Sequence, residues 1–310
     1  MNSERIRLIT EISKLYYIQG LSQQEITEKL GVSRPQVSRM LAEARELGIV
    51  EHRIHDPFAE ENGLAELLET KYGLTKAIVI DTRWTNGHSG TAKVAAAAAQ
   101  HLMMQLRDSD IITVGPGTTV YEVSQNMSKA ENSHCLVVPM CGGWGNGEIS
   151  AMANQSAQNI AENLKCEFKM LNAPVFISNK DACEILLQEP AIKEVIDQSA
   201  SAQIAVVGIG TLREDSSVVR TANMHPDVLK ELSDKKTCAS IGGWFLDKKG
   251  QEVSVENGGI VGISCEDFLK IPCRIAAAYG LKKAEAVRAA LLGNMMNTLV
   301  VDVEIAKELI

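Results

Sequence analysis

Apolar residues recur at helical spacing near the start of the chain. Ile6, Ile9, Ile12, Leu15 and Tyr16 predict a first helix between Arg5 and Gln19, ended by Gly20. Ser22 and Glu25 form a capping-box signature for a second helix that stops at Gly31. Ser33 and Gln36 repeat that signature, with Pro35 in the first turn of a third helix that runs to Leu47 and Gly48. "IVEHRIH" then alternates and predicts a short strand or wing. Past Pro57, the stripe Leu64, Leu67, Leu68 and Tyr72 predicts one more helix, either packed in a core or acting as a linker that pairs with another subunit.

From Lys76 onward the period changes. "KAIVID", "IITVG", "CLVVPM", "EFKMLNAP", "IAVVGIG" and "IPCRIAAA" are short apolar strand candidates. Helical stretches separate them: roughly 89–106, from 118, 149–164 and 283–292. Wholly apolar strands alternating with helices imply a parallel sheet covered on both faces. The expected fold class is therefore α/β, with a small helical domain over 1–56 and a large α/β domain over 57–310. No strict internal repeat is present, and the likeness of "CGGWG" to "IGGWF" is read as chance.

Composition adds limits. Of 310 residues, 45% are hydrophobic and 23% charged, an ordinary globular balance. "MNSERIRLITE" lacks the apolar core of a signal peptide, and "VAAAAA" at Val94–Ala99 is far shorter than the roughly 20 residues of a membrane span. A cytoplasmic protein with no membrane partner is expected. The seven cysteines are odd in number and without C-x-x-C spacing, which argues against disulfides and zinc. His52 and His55 have no third or fourth ligand nearby, so neither metal nor cofactor is expected. The net charge of −8 is uneven: residues 1–56 hold eight Lys/Arg and eight Asp/Glu, so all the excess acid lies in the large part. Contact with a polyanion is confined to the neutral head.

In "LSQQEITEKLGVSRPQVSRMLAEA", Ile26 and Leu30 face Val37, Met40 and Leu41 across a tight turn, the pattern of a helix-turn-helix. Ser33, Arg34, Gln36, Ser38 and Arg39 are left outward on the second helix. Arg suits guanine, Gln suits adenine, and Ser or the helix N-terminus suits phosphate. A plain helical hairpin with a solvated face is the alternative.

In the large part, "DIITVGPGTTVYEV" sets a Gly-rich turn between a strand and a helix. Gly115 and Gly117 permit close backbone approach, and Thr118 and Thr119 open the helix with N–H groups and hydroxyls, an arrangement that holds an anion. No Lys follows the last glycine, and the spacing is not that of a dinucleotide site. Cys141-Gly142-Gly143 and Gly208-Ile209-Gly210-Thr211 fall at further strand ends, where open α/β sheets bind small molecules. Arg213, Arg220 and Lys283 are candidate counter-charges, and Asp247 is a candidate acceptor for sugar hydroxyls.

The whole chain resembles the SorC family of bacterial transcriptional regulators, the sugar-binding regulators of DeoR/LsrR type. The resemblance rests on "LYYIQGLSQQEITEKLGVSRPQVSRMLAEARELGIV", "VGPGTTV", "VVPMCGGWG", "VVGIG", "FLDKKG", "IVGIS", "IPCRIAAAYGLKKAEAVRAAL" and "LVVDVEIA", in the family's order. It implies a winged helix-turn-helix domain, a sugar-isomerase-like (NagB/RpiA-type) effector domain and a tetramer on operator DNA. It also implies that Gly117, Thr118 and Thr119 face a phosphate and that Lys283 is the family's lysine. Three positions depart from the pattern: Cys141 replaces an Asn, Tyr279 replaces a Gly and would narrow the pocket, and Ser240 replaces an acid. The effector class is thus a sugar, a polyol or a phosphosugar.

The function expected is a transcriptional regulator of a carbohydrate catabolic operon, not an enzyme. The alternative is a sugar-phosphate isomerase-like or acyl-transfer enzyme. It would need a general base such as Glu148 or a thiol such as Cys141, and no paired acid or neighbouring His accompanies either. A DNA-binding scaffold with a vestigial pocket is the third reading.

Overall fold

The computed structural model describes residues 3–50, 59–82, 90–130, 134–143, 152–213 and 226–310. The chain divides into two compact units, Met1–Pro57 and Phe58–Ile310.

In the small unit, α1 (Ser3–Ser13) continues through a π-helical turn, Lys14–Ile18, that periodicity did not predict. α2 (Gln23–Leu30) and α3 (Arg34–Glu46) follow. Ile12, Leu15, Ile26, Val37 and Leu41 form its buried core. Gly31 stops α2 at φ +67°, a left-handed value that favours glycine. Ser22 Oγ accepts from Glu25 N–H at 3.3 Å while Glu25 Oε2 accepts from Ser22 N–H at 2.8 Å. The anticipated wing falls mostly at residues 51–55, outside the described residues.

The large unit opens with α4 (Ala59–Tyr72). This helix is packed in the core: Leu68 is fully buried, while Leu67 stays half exposed. Tyr72 Oη donates to Leu309 O at 2.8 Å, tying α4 to the helix Val303–Leu309.

The strands are β1 (Lys76–Ile80), β2 (Ile111–Val114), β3 (Leu136–Pro139), β4 (Glu167–Phe168), β5 (Phe176–Ile177), β6 (Ile204–Gly208), β7 (Gly210–Thr211), β8 (Thr237–Ile241), β9 (Trp244–Asp247), β10 (Gly259–Ile260), β11 (Cys273–Ala278) and β12 (Thr298–Asp302). Seven form one sheet in the order β1-β12-β11-β6-β2-β3-β4, every pairing parallel. Alternate residues face opposite sides. Val207, Ala276, Ala278, Leu299 and Val301 pack on one face with Leu68 and the helix Ala284–Leu292. Val114, Val206, Ile275, Ala277 and Val300 pack on the other with α5 (Gly90–Gln105), α6 (Thr118–Gln125) and α7 (Met152–Leu164).

Two parts of this architecture differ from the pattern-based expectation. "EFKMLNAP" yields only the two-residue β4. An antiparallel trio, β7-β8-β9, stands apart from the main sheet and went unpredicted, because its strands lack a clean period. Among the described residues no helix is long and apolar enough to cross a membrane, and no group of His, Cys, Asp or Glu has metal-binding geometry.

Candidate functional site

All seven sheet strands run the same way, so their carboxyl ends share one edge. Three of those ends build the centre of the candidate site.

After β2, Gly115 N–H donates to Val206 O at 2.8 Å and keeps the turn in register with β6. Gly117 then takes φ +121°, which favours glycine, and caps α6 without a side-chain bond. The first amides of α6 have no intrahelical acceptor, so they and the helix dipole favour an anion. Thr118 is exposed and Thr119 is buried. At the end of β6, a Cβ at Gly208 would sit 3.8 Å from Pro116 O and 3.9 Å from Thr119 Cβ, so the two turns are neighbours.

The third contribution comes from beyond β11. Gly280, at φ +93°, starts the 3₁₀ turn Leu281–Lys283. That turn brings Lys283 Nζ to 3.5 Å from Thr119 Oγ1. Lys283 is half-buried, and burial holds its ammonium below the ordinary lysine range. A desolvated cation beside uncapped helix amides is suited to a phosphate or another small anion.

Gly210 lies next to this centre in β7, its backbone paired opposite the buried Ser240. Gly142 and Gly143 have a different local role. Gly142 N–H donates to Val261 O at 2.9 Å and Gly143 N–H to Ala173 O at 2.9 Å. A Cβ at Gly142 would meet Ala173 O at 2.3 Å. These glycines let three chain segments meet, and their amides are occupied. A Cβ at Gly243 would lie 3.9 Å from Cys141 Sγ, so the turn after β8 packs against the end of β3.

Asp247 closes β9. It pairs with Thr237, at the end of the β8–β9 hairpin away from the pair Ser240 and Phe245. Its Oδ1 accepts from Lys249 N–H at 2.8 Å and Gln251 N–H at 2.9 Å, closing its own turn. Tyr279 stands just past the end of β11. The ring covers Gly90 at the start of α5, where an added Cβ would meet it at 2.2 Å. Arg213 is exposed. Arg220 and Glu148 lie outside the described residues, as do His52 and His55. Cys141 is buried, and burial pushes its thiol up to about 12; such a thiol stays protonated at neutral pH and is a poor nucleophile.

Sequence reasoning missed Asp302. It is 1% exposed at the end of β12, and its carboxylate receives three backbone N–H groups, from Gly280, Glu304 and Ile305. The signal was present as an Asp closing the apolar run "LVVD" ahead of a helix, an N-cap pattern.

In the small unit, Ser33, Arg34, Gln36, Ser38 and Arg39 are all exposed, while Val37 and Leu41 are buried beneath them. Gln36 Oε1 accepts from Ser33 N–H at 2.9 Å and from Ser33 Oγ at 3.0 Å. Its carbonyl oxygen is thus used in the cap, which leaves the amide N–H₂ as its outward group.

Residues 56–310 match the family model described as "Putative sugar-binding domain". The chain is 30% identical over 311 residues to the "Deoxyribonucleoside regulator" of Bacillus subtilis (strain 168), covering 100% of this chain and 99% of that protein. It is 28% identical over 300 residues to "Transcriptional regulator LsrR" of Enterobacter sp. (strain 638), covering 95% of this chain and 90% of that one. Among solved structures, the full-length sorbitol operon regulator SorC from Klebsiella pneumoniae superposes with a TM-score of 0.75 at 26% identity, covering 99% of each chain.

Proposed function

We propose, from the premise that this chain belongs to the SorC family of sugar-binding transcriptional regulators, a division of labour between its two units. The protein is a sugar-responsive DNA-binding regulator. Residues 1–56 form the operator-binding domain and 57–310 the effector-binding and oligomerisation domain. The first turns of α3 enter the major groove. Arg34 and Arg39 read guanine or grip phosphate, the Gln36 amide donates, and Ser33 and Ser38 contact the backbone. The exposure of those five side chains at the capped N-terminal end of one helix supports this reading.

The effector is a carbohydrate that carries an anion, held by the Thr118 and Thr119 amides above Gly117 and by Lys283. The proximity of Lys283 Nζ to Thr119 Oγ1 at the strand ends is the observation that carries this assignment. Gly210 and Ser240 border the sugar, and Arg220 supplies a further cation. Gly142 and Gly143 serve by packing, and Asp247 is left out because its carboxylate closes a turn. The working form is a cytoplasmic homo-tetramer, whose head charge near zero makes several copies necessary for strong DNA contact.

Regulation follows from linkage. An effector that shifts operator affinity about 100-fold must differ by about 2.7 kcal/mol in its binding to the two tetramer states. No turnover belongs to this reading, and the protonated Cys141 thiol disfavours nucleophilic catalysis at that position. The test uses the full chain. Its operator is selected from a random duplex library, and affinity is measured with and without a panel of sugars, polyols and their phosphates. A shift with a phosphosugar supports the assignment. No shift with any compound removes the effector claim, and turnover of an aldose or ketose phosphate removes the non-enzymatic reading.

A further inference from the structure

Asp302 sits at a junction that the proposed phosphate contacts do not include. Its Oδ1 accepts from Glu304 N–H and Ile305 N–H, both at 3.0 Å, and so caps the helix Val303–Leu309. Its Oδ2 accepts from Gly280 N–H at 2.6 Å. Gly280 O in turn accepts from Lys283 N–H at 2.9 Å, closing the 3₁₀ turn that carries Lys283 to Thr119. Asp302 is thus two hydrogen bonds from the backbone of the lysine. The left-handed φ of Gly280, +93°, is open to many alternatives in a glycine, so the turn needs an outside restraint. A buried carboxylate is a strong acceptor for that purpose.

We propose that Asp302 is a positioning residue for the effector's anion: it grips Gly280 from the neighbouring strand and thereby holds the Leu281–Lys283 turn with its ammonium at Thr119. This rests on the reading that Lys283 binds that anion. One carboxylate joins two tasks, with one oxygen stabilising the helix and the other setting the turn. The two tasks are separable by chemistry. An asparagine keeps an acceptor for the helix amides but offers an N–H₂ group toward Gly280, where two donors then face each other.

The experiment measures affinity for inorganic phosphate and for a panel of pentose and hexose phosphates by calorimetry, using full-length wild type, Asp302→Asn, Lys283→Ala and the double variant. Asp302→Asn is expected to weaken phosphate binding about tenfold and to lower the melting temperature by several degrees, since the half-buried Gly280 N–H loses its acceptor. The double variant is expected to bind no more weakly than Lys283→Ala, because Asp302 acts through the lysine. Asp302→Ser, whose hydroxyl still caps a helix but falls short of Gly280, repeats the test if the asparagine variant does not fold. If Lys283→Ala binds phosphate like wild type, the assignment of the lysine fails, and this inference with it. If Lys283→Ala is weakened while Asp302→Asn and Asp302→Ser are not, the inference alone is overturned. It is overturned too if the Asp302 loss adds in full to that of Lys283→Ala.

Discussion

Lys283 Nζ and Thr119 Oγ1 lie 3.5 Å apart although 164 positions separate them in the chain. The contact joins the 3₁₀ turn after β11 to the first turn of α6, and half-burial keeps the ammonium easier to deprotonate than a free lysine.

A pH dependence follows from that lowered value. The folded protein gives up the Lys283 proton at a lower pH than the unfolded chain, so this group makes stability rise with pH between its folded value and the ordinary lysine value of 10.5. The charged lysine lowers the stability of the empty site below that window. Anion binding works the other way, because it needs the cation. Phosphate affinity is expected to fall as pH rises through the folded value, before 10.5, and Lys283→Met is expected to abolish that fall. Calorimetric titration across the alkaline range checks both. At neutral pH, loss of the charged donor should weaken phosphate binding by roughly 10- to 150-fold.

Arg34→Ala and Arg39→Ala are each expected to weaken operator binding by about 1–3 kcal/mol if the side chain reads guanine. A side chain that grips phosphate would instead lower the salt slope by about one. Both arginines are exposed, so melting temperature and effector affinity should stay at wild-type values. Equal operator affinity in both variants and wild type would show that α3 is not the reading helix.

Gln36→Glu separates the cap from the DNA contact. Glutamate retains the acceptor that Ser33 uses and adds a negative charge to the helix's first turn, so the head should be as stable as before or slightly more so. It loses the amide donor and repels phosphate, so operator affinity should drop. Gln36→Ala should cost about 0.5–2 kcal/mol of head stability, read from the unfolding of the small unit.

Gly142→Ala tests the packing at the end of β3. Its methyl would stand 2.3 Å from Ala173 O, a backbone atom that cannot turn away. A destabilisation of about 1–3 kcal/mol is expected in the large unit. Thermal unfolding followed by tryptophan emission reports it, since all three tryptophans lie in the large unit.

Cys141 should resist alkylation by iodoacetamide at a pH of about 8 in the folded protein and react once denaturant is added. Its thiol is buried and held up to about 12. Rapid modification of Cys141 in the folded state would mean that the end of β3 opens to solvent.

Much of the fold could be read from local pattern. The apolar runs at Ile111–Val114, Ile204–Gly208 and Cys273–Ala278 became adjoining parallel strands, with Ile204–Gly208 between the other two. The caps at Ser22 and Ser33 sit where their side-chain spacing predicted. Asp247 shows the limit of such reading. An acidic residue next to an apolar strand looks the same in sequence whether its carboxylate meets a ligand or closes its own turn. Tyr279 shows it again, since the space its ring fills is made by Gly90, far off in the chain.

What the sequence by itself determined is the set of properties that depend on neighbours a few residues apart: where helices begin and stop, which strands are buried on both faces, and which side of α3 stays wet. What only the tertiary structure decided is which distant turns stand side by side, because strand order in a sheet is set by the packing of whole elements. It placed Lys283 against Thr119, gave Asp302 its grip on Gly280, and committed the amides of Gly142 and Gly143 to backbone pairing. A hydrogen bond between residues so far apart has no signature in local periodicity, and its geometry exists only once the sheet has closed.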